Sequence, residues 1–90
     1  MDQRFSLAGR RALVTGASGG IGAHFARLLA ANGASVALAA RRIGACEKTA
    51  AEIVASGGKA VSVAMDVGSR ASIQSGIEDA VTALGGLDIL

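Results

Sequence analysis

The eight residues Thr15-Gly16-Ala17-Ser18-Gly19-Gly20-Ile21-Gly22 constrain the fold more than any other stretch of the chain. They follow a short apolar run, Ala12-Leu13-Val14, within Arg11–Thr15. Such a run, ended by glycine, suits a strand buried on both faces. Beyond the loop, Ile21, Phe25, Leu28 and Leu29 fall at i, i+4, i+7 and i+8, the spacing of one helix face. A glycine-dense turn joining a buried strand to an amphipathic helix is the opening of a βα crossover unit.

The rhythm continues on schedule. Gly33 ends the first helix, and Val36 to Ala40 is a second apolar run. Cys46, Ala50, Ile53 and Val54 repeat the helical spacing up to Gly57-Gly58. Val61, Val63 and Met65 predict a third strand with Asp66 at its C-terminal end. Ser69 suits the cap of a third helix whose face is Ile73, Ile77, Val81 and Leu84, stopped by Gly85-Gly86. Leu87-Asp88-Ile89-Leu90 begins a fourth strand. The order βαβαβαβ predicts an α/β fold, the first half of a Rossmann-type doubly wound parallel sheet with right-handed crossovers. The chain stops inside an apolar run, leaving a strand edge that natural domains usually hide. The expectation is a chain truncated in or after the fourth strand, with residues 1–90 forming the N-terminal part of one domain.

Composition agrees with a packed core. The 90 residues are 51% hydrophobic with a mean hydropathy of +0.48, which disfavours disorder. With two Phe and no Trp or Tyr, that core must be aliphatic. Nine basic and seven acidic residues give a net charge of +2. No basic stripe with interleaved aromatics appears, so nucleic-acid binding finds no support. No apolar run reaches the roughly 18 residues of a membrane span. Arg10-Arg11 precedes an apolar run too broken by polar residues and glycine to be an export signal. One cysteine, Cys46, permits no internal disulfide, which fits a reducing compartment and a cytoplasmic location.

Each glycine of the loop has a physical task. Gly16 stands where the backbone turns sharply and positive φ is often needed. Gly20 lets a pyrophosphate approach the main chain, and Gly22 lets the helix pack closely on the strand. The helix start offers free N–H groups and about half a positive charge to an anion. Ser18 adds a hydroxyl donor, and Gly19 and Ile21 complete the cradle. The spacing is Gly-x-x-x-Gly-x-Gly rather than Gly-x-Gly-x-x-Gly, and no Lys-Ser or Lys-Thr follows to make a P-loop. A plain turn is the ordinary alternative for a glycine-rich loop; position between strand and helix favours dinucleotide binding.

With these residues the chain resembles the short-chain dehydrogenase/reductase family. Thr15–Gly22 is similar to that family's Thr-Gly-x-x-x-Gly-x-Gly motif, and Leu7-Ala8-Gly9, Asn32-Gly33-Ala34 and Leu87–Leu90 look like its flanking segments. The resemblance covers essentially the whole chain, but only the N-terminal part of a typical member. It implies hydride transfer between a nicotinamide cofactor and a carbonyl or alcohol carbon. It also implies that the Asp66 carboxylate accepts a hydrogen bond from the adenine amino group, with Val67 packed nearby. The family's catalytic tyrosine has no counterpart, since the chain contains none. No catalytic residue is assigned, and the 90 residues are expected to be inactive alone.

The cofactor follows from the end of the second strand. Dinucleotide folds that prefer NAD place an acid there to bond the ribose 2′-hydroxyl. This chain has Ala40 followed by Arg41 and Arg42, with no carboxylate before Glu47. A guanidinium fork suits a phosphate, so NADP(H) is expected over NAD(H). Some NADP-preferring relatives carry a second basic residue where this chain has Gly19, so Arg41 must act with only Arg42 and Ser18 beside it. His24 reads as an ordinary helix residue, and Cys46, Met65 and Phe25 read as core. No metal site is expected, because a lone histidine and a lone cysteine do not make one. The partners expected are a small carbonyl or alcohol substrate and, in the complete protein, further copies of itself. The alternatives are a non-catalytic NADP-binding sensor or regulatory module, and an inert truncated fragment.

Overall fold

The computed structural model describes residues 6–88. Six elements alternate along it: β1 (Arg11–Thr15), α1 (Gly20–Ala31), β2 (Ser35–Ala40), α2 (Gly44–Ala55), β3 (Lys59–Ala64) and α3 (Arg70–Leu84). Helical crossovers of this length return each strand parallel to the last. The strands form one parallel sheet in the order β1-β2-β3. Arg11 pairs with Ser35 and Ser35 with Lys59, while Thr15 pairs with Ala39 and Ala40 with Ala64. The three strands therefore start level and end level.

The central strand shows why both faces are covered. Val36 through Ala40 are all buried, and side chains alternate between faces. Val36, Leu38 and Ala40 pack in one core with Val14, Ala26, Cys46, Ala50 and Ile53, under α1 and α2. Ala37 and Ala39 pack in a second core with Leu13, Val63, Met65 and Ala80, under α3. Helices on both faces of a parallel sheet make the βαβαβα half of a doubly wound fold, as the sequence rhythm predicts. Cys46 is fully buried, and burial pushes its thiol pKa up, so it stays a protonated core residue.

The face of α1 differs from expectation. Ile21, Phe25 and Leu28 are 88%, 52% and 50% exposed, so the large apolar stripe is not what the helix buries here. Its buried residues are Ala23 and Ala26, with Gly22, Leu29 and Ala30 partly covered. A stripe of small side chains brings the helix axis closer to the sheet than phenylalanine or leucine would allow, and that close approach decides the rotation of the helix. Phe25 is accordingly a half-exposed groove residue rather than core. Val54 and Val81 also face outward, while the rest of their predicted faces is buried or half-buried.

After α3 the chain returns to the free edge of β1. Arg11 N–H donates to Asp88 Oδ2 at 3.0 Å, and Asp88 N–H donates to the Arg11 carbonyl at 2.8 Å. The Arg11 guanidinium also bonds Asp88 Oδ2 at 3.1 Å and the Gly85 carbonyl at 3.0 Å. Leu87 and Asp88 lie outside any strand, and the remainder of the expected fourth strand, Ile89 and Leu90, falls outside the described residues.

The hydrogen bonds from Arg11 hold the Asp88 carboxyl below the usual carboxylate range. A lowered folded-state pKa stabilises the fold fully above the ordinary carboxylate value near pH 4, and that contribution is lost as pH falls through the lowered value. Acid titration of the thermal midpoint should therefore show a steeper loss below about pH 4 in the wild type than in Asp88→Asn. Coincident acid limbs would remove this ion pair from the account.

Candidate nucleotide site at the strand ends

Level strand ends place three loops side by side. The Ala17 N–H donates to the Ala39 carbonyl at 3.1 Å, tying the β1–α1 loop to the end of β2. The Met65 N–H donates to the Ala40 carbonyl at 2.9 Å, tying the end of β3 to the same place. Adjacent strands are about 4.8 Å apart, so the three loops share one crevice rim. Along it lie Gly16, Ser18, Gly19, Gly20, Ile21 and Gly22 from the first loop, Arg41 and Arg42 from the second, and Asp66 and Val67 from the third. Every residue singled out from the sequence sits at this end of the sheet, the end where open α/β folds receive ligands.

The glycine loop is shaped by backbone requirements. Gly16 has φ +63° and Gly20 has φ +59°, the left-handed region that β-carbons disfavour. A Cβ on Gly20 would meet nothing within 4 Å, so the space over the helix start is open. At Gly22 the demand is steric instead. A Cβ there would run into the carbonyl oxygen of Gly16 and stand 2.9 Å from its carbon. Helix α1 begins with Gly19 as its N-cap, and no side chain caps it. Its first N–H groups are thus left without a side-chain cap, which is the arrangement that can hold an anion. The cradle fits a pyrophosphate.

The neighbouring loops differ in charge. Arg41 and Arg42 are exposed, and neither makes an ion pair among the described residues. Ala40 closes β2 without a carboxylate. Asp66 is half-buried and Val67 is 63% exposed. Asp66 Oδ1 accepts from the Gly68 N–H at 2.9 Å, the Asp66 carbonyl accepts from the Ser69 N–H at 3.0 Å, and the Asp66 N–H donates to Ser72 Oγ at 2.8 Å.

One depression adjoins this geometry and another lies at the far end of the sheet. A groove of about 360 Å³ runs beside β1 next to the glycine loop, lined by Leu13, Thr15, Gly16, Ile21, Gly22 and Phe25. Thr15 and Phe25 were not among the expected site residues. Phe25 was legible only to a reading that weighed the small stripe of α1 against its large one. Another depression of about 350 Å³ lies between the C-terminal halves of α1 and α2, where Arg27 Nη2 meets Glu52 Oε2 at 3.0 Å. It sits at the N-terminal end of the strands, opposite the glycine loop, and has no part in the nucleotide site.

Known proteins share this framework. A family model described as short chain dehydrogenase matches residues 10–90. The chain is 46% identical over 84 residues to glycine betaine reductase of Emericella nidulans, covering 93% of this chain and 7% of that protein. It is 41% identical over 91 residues to hydroxysteroid dehydrogenase-like protein 2 of Rattus norvegicus, covering 93% of this chain and 17% of that one. Among solved structures, a hydroxysteroid dehydrogenase from Escherichia coli superposes with a TM-score of 0.94 at 33% identity, over 98% of this chain and 37% of that chain. The chain therefore spans well under half the length of each of these relatives.

Proposed function

The chain belongs to the short chain dehydrogenase family, whose members bind nicotinamide cofactors, and from that premise we propose that it is the NADP(H)-binding part of an oxidoreductase. The observation that carries the choice of cofactor is Ala40-Arg41-Arg42: two exposed cations without ion-pair partners among the described residues, where a carboxylate would stand for NAD. In this reading the amides of Gly19 to Gly22 and the Ser18 hydroxyl hold the pyrophosphate. Arg41 takes the 2′-phosphate, with Arg42 adding charge. Asp66 accepts from the adenine amino group through its second carboxylate oxygen, and Val67 packs against the ring. Gly16 and Gly22 act indirectly, by letting strand and helix meet closely enough to aim the amides.

When bound, the nicotinamide supplies or accepts a hydride. The residues of this chain bind and orient it; they include no tyrosine to move the accompanying proton. The complete protein, in this reading, reduces a carbonyl or oxidises an alcohol on a small molecule, with its acid/base group outside these 90 residues.

Titration of the chain with NADP⁺ and with NAD⁺ tests the reading. A charge-assisted bond to the 2′-phosphate contributes roughly 1.5–3 kcal/mol. NADP⁺ should therefore bind about 10- to 100-fold more tightly. Equal or tighter NAD⁺ binding would overturn the assignment of Arg41.

A further inference from the structure

We propose that Ser72 is a positioning residue for the adenine end of the site, acting through Asp66. The inference rests on the cofactor reading above and adds to it a residue outside the crevice loops.

The start of α3 is wired unusually. In the common capping box, the N-cap side chain bonds the N3 N–H and the N3 side chain returns the bond to the N-cap's own N–H. Here Ser69 is the N-cap and Ser72 is N3. Ser69 Oγ does accept from the Ser72 N–H, at 3.3 Å. The return bond is diverted. The Ser69 N–H goes to the Asp66 carbonyl at 3.0 Å, and Ser72 Oγ accepts from the Asp66 N–H at 2.8 Å. Asp66 Oδ1 is meanwhile held by the Gly68 N–H at 2.9 Å. Three of the four polar groups of Asp66 are thus fixed by the first turn of α3 and the turn before it. Only Oδ2 accepts nothing among the described residues.

That pattern has a consequence for recognition. A carboxylate whose backbone and one oxygen are anchored presents its other oxygen in one direction, without the rotamer cost of ordering it on binding. The Ser72 hydroxyl anchors the backbone end of this arrangement. It is half-buried and bonds the Asp66 N–H rather than the carboxylate. Its removal leaves the Asp66 N–H without an acceptor and loosens the backbone that carries the carboxylate, while the bonds from Gly68 and Ser69 remain, so the loss should be partial and fall on the contact with the adenine amino group.

The test compares NADP⁺ with its hypoxanthine analogue, which carries a carbonyl in place of the adenine amino group. The wild type should bind NADP⁺ about tenfold more tightly than the analogue, the size of one directed hydrogen bond. Ser72→Ala should cut that discrimination to about threefold by weakening NADP⁺, while the analogue binds within about twofold of its wild-type affinity. Ser72→Thr, which keeps the hydroxyl, should restore it. If Ser72→Ala does not fold, as judged by circular dichroism, Ser72→Cys carries the same comparison with an intermediate loss, because a thiol is a weak acceptor. Equal losses for both dinucleotides would mark Ser72 as merely structural, and unchanged binding would remove it altogether; either overturns this inference and leaves the cofactor reading standing. A wild type that binds neither NADP⁺ nor NAD⁺ would overturn both.

Discussion

Gly22→Ala should destabilise the chain by about 3 kcal/mol or more, against the usual sign for that substitution. Glycine to alanine within a helix ordinarily stabilises by roughly 1 kcal/mol, because alanine is the better helix former. Gly22 is helical and has no conformational need for glycine. The sign is reversed by space alone: the new Cβ would overlap the Gly16 carbonyl, a backbone group held by the turn. The end of a flexible side chain in that place would swing aside, whereas a peptide unit cannot. For a domain of this size the midpoint of thermal unfolding should fall by about 12 °C or more. Gly20→Ala is the control. It has open space around it but φ +59°, so its cost is conformational, about 1–2 kcal/mol. A Gly22→Ala variant as stable as the wild type, or more so, would contradict the close contact of α1 with the end of β1.

Arg41→Asp should reverse the cofactor preference without unfolding the chain. Arg41 is exposed and makes no ion pair among the described residues, so its loss leaves the fold alone. Affinity for NADP⁺ should fall by about 100-fold or more, since roughly 1.5–3 kcal/mol of charge-assisted bonding is replaced by repulsion between two anions. NAD⁺ should gain, because the new carboxylate is placed to accept from a ribose 2′-hydroxyl at the end of β2. Calorimetric titration of both dinucleotides into the variant checks this. A variant that still prefers NADP⁺ would move the 2′-phosphate away from Arg41.

The legible and illegible parts of this fold have separate physical causes. Ala12-Leu13-Val14 and Val36 to Ala40 were readable as strands because a parallel strand buried on both faces is continuously apolar and short. The glycine loop was readable because its spacing and its place between strand and helix agree. The rotation of α1 was not. Two stripes compete on that helix, one of large residues at Ile21, Phe25 and Leu28 and one of small residues at Gly22, Ala23, Ala26 and Ala30, and hydrophobic periodicity weighs the large one more heavily. Packing chose the small one, since Gly22 must touch Gly16. The Arg11–Asp88 contact joins residues near opposite ends of the sequence, and no local pattern pairs them. The diversion of Ser72 toward Asp66 was hidden for a subtler reason: local rules predict the same serine in an ordinary capping box, and only the backbone path before the N-cap decides which N–H it meets.

The central claim is that the turn from β1 into α1 holds a dinucleotide pyrophosphate, with the 2′-phosphate beyond the end of β2. Its most direct test is the titration of the unmodified chain with NADP⁺, followed amide by amide in nuclear magnetic resonance and repeated with NAD⁺. The account predicts that Ser18 to Gly22 shift with both dinucleotides, that Arg41 and Arg42 shift more strongly with NADP⁺, and that residues around Arg27 and Glu52 at the other end of the sheet stay still. Shifts centred on that opposite end, or none along Ser18 to Gly22, would contradict it.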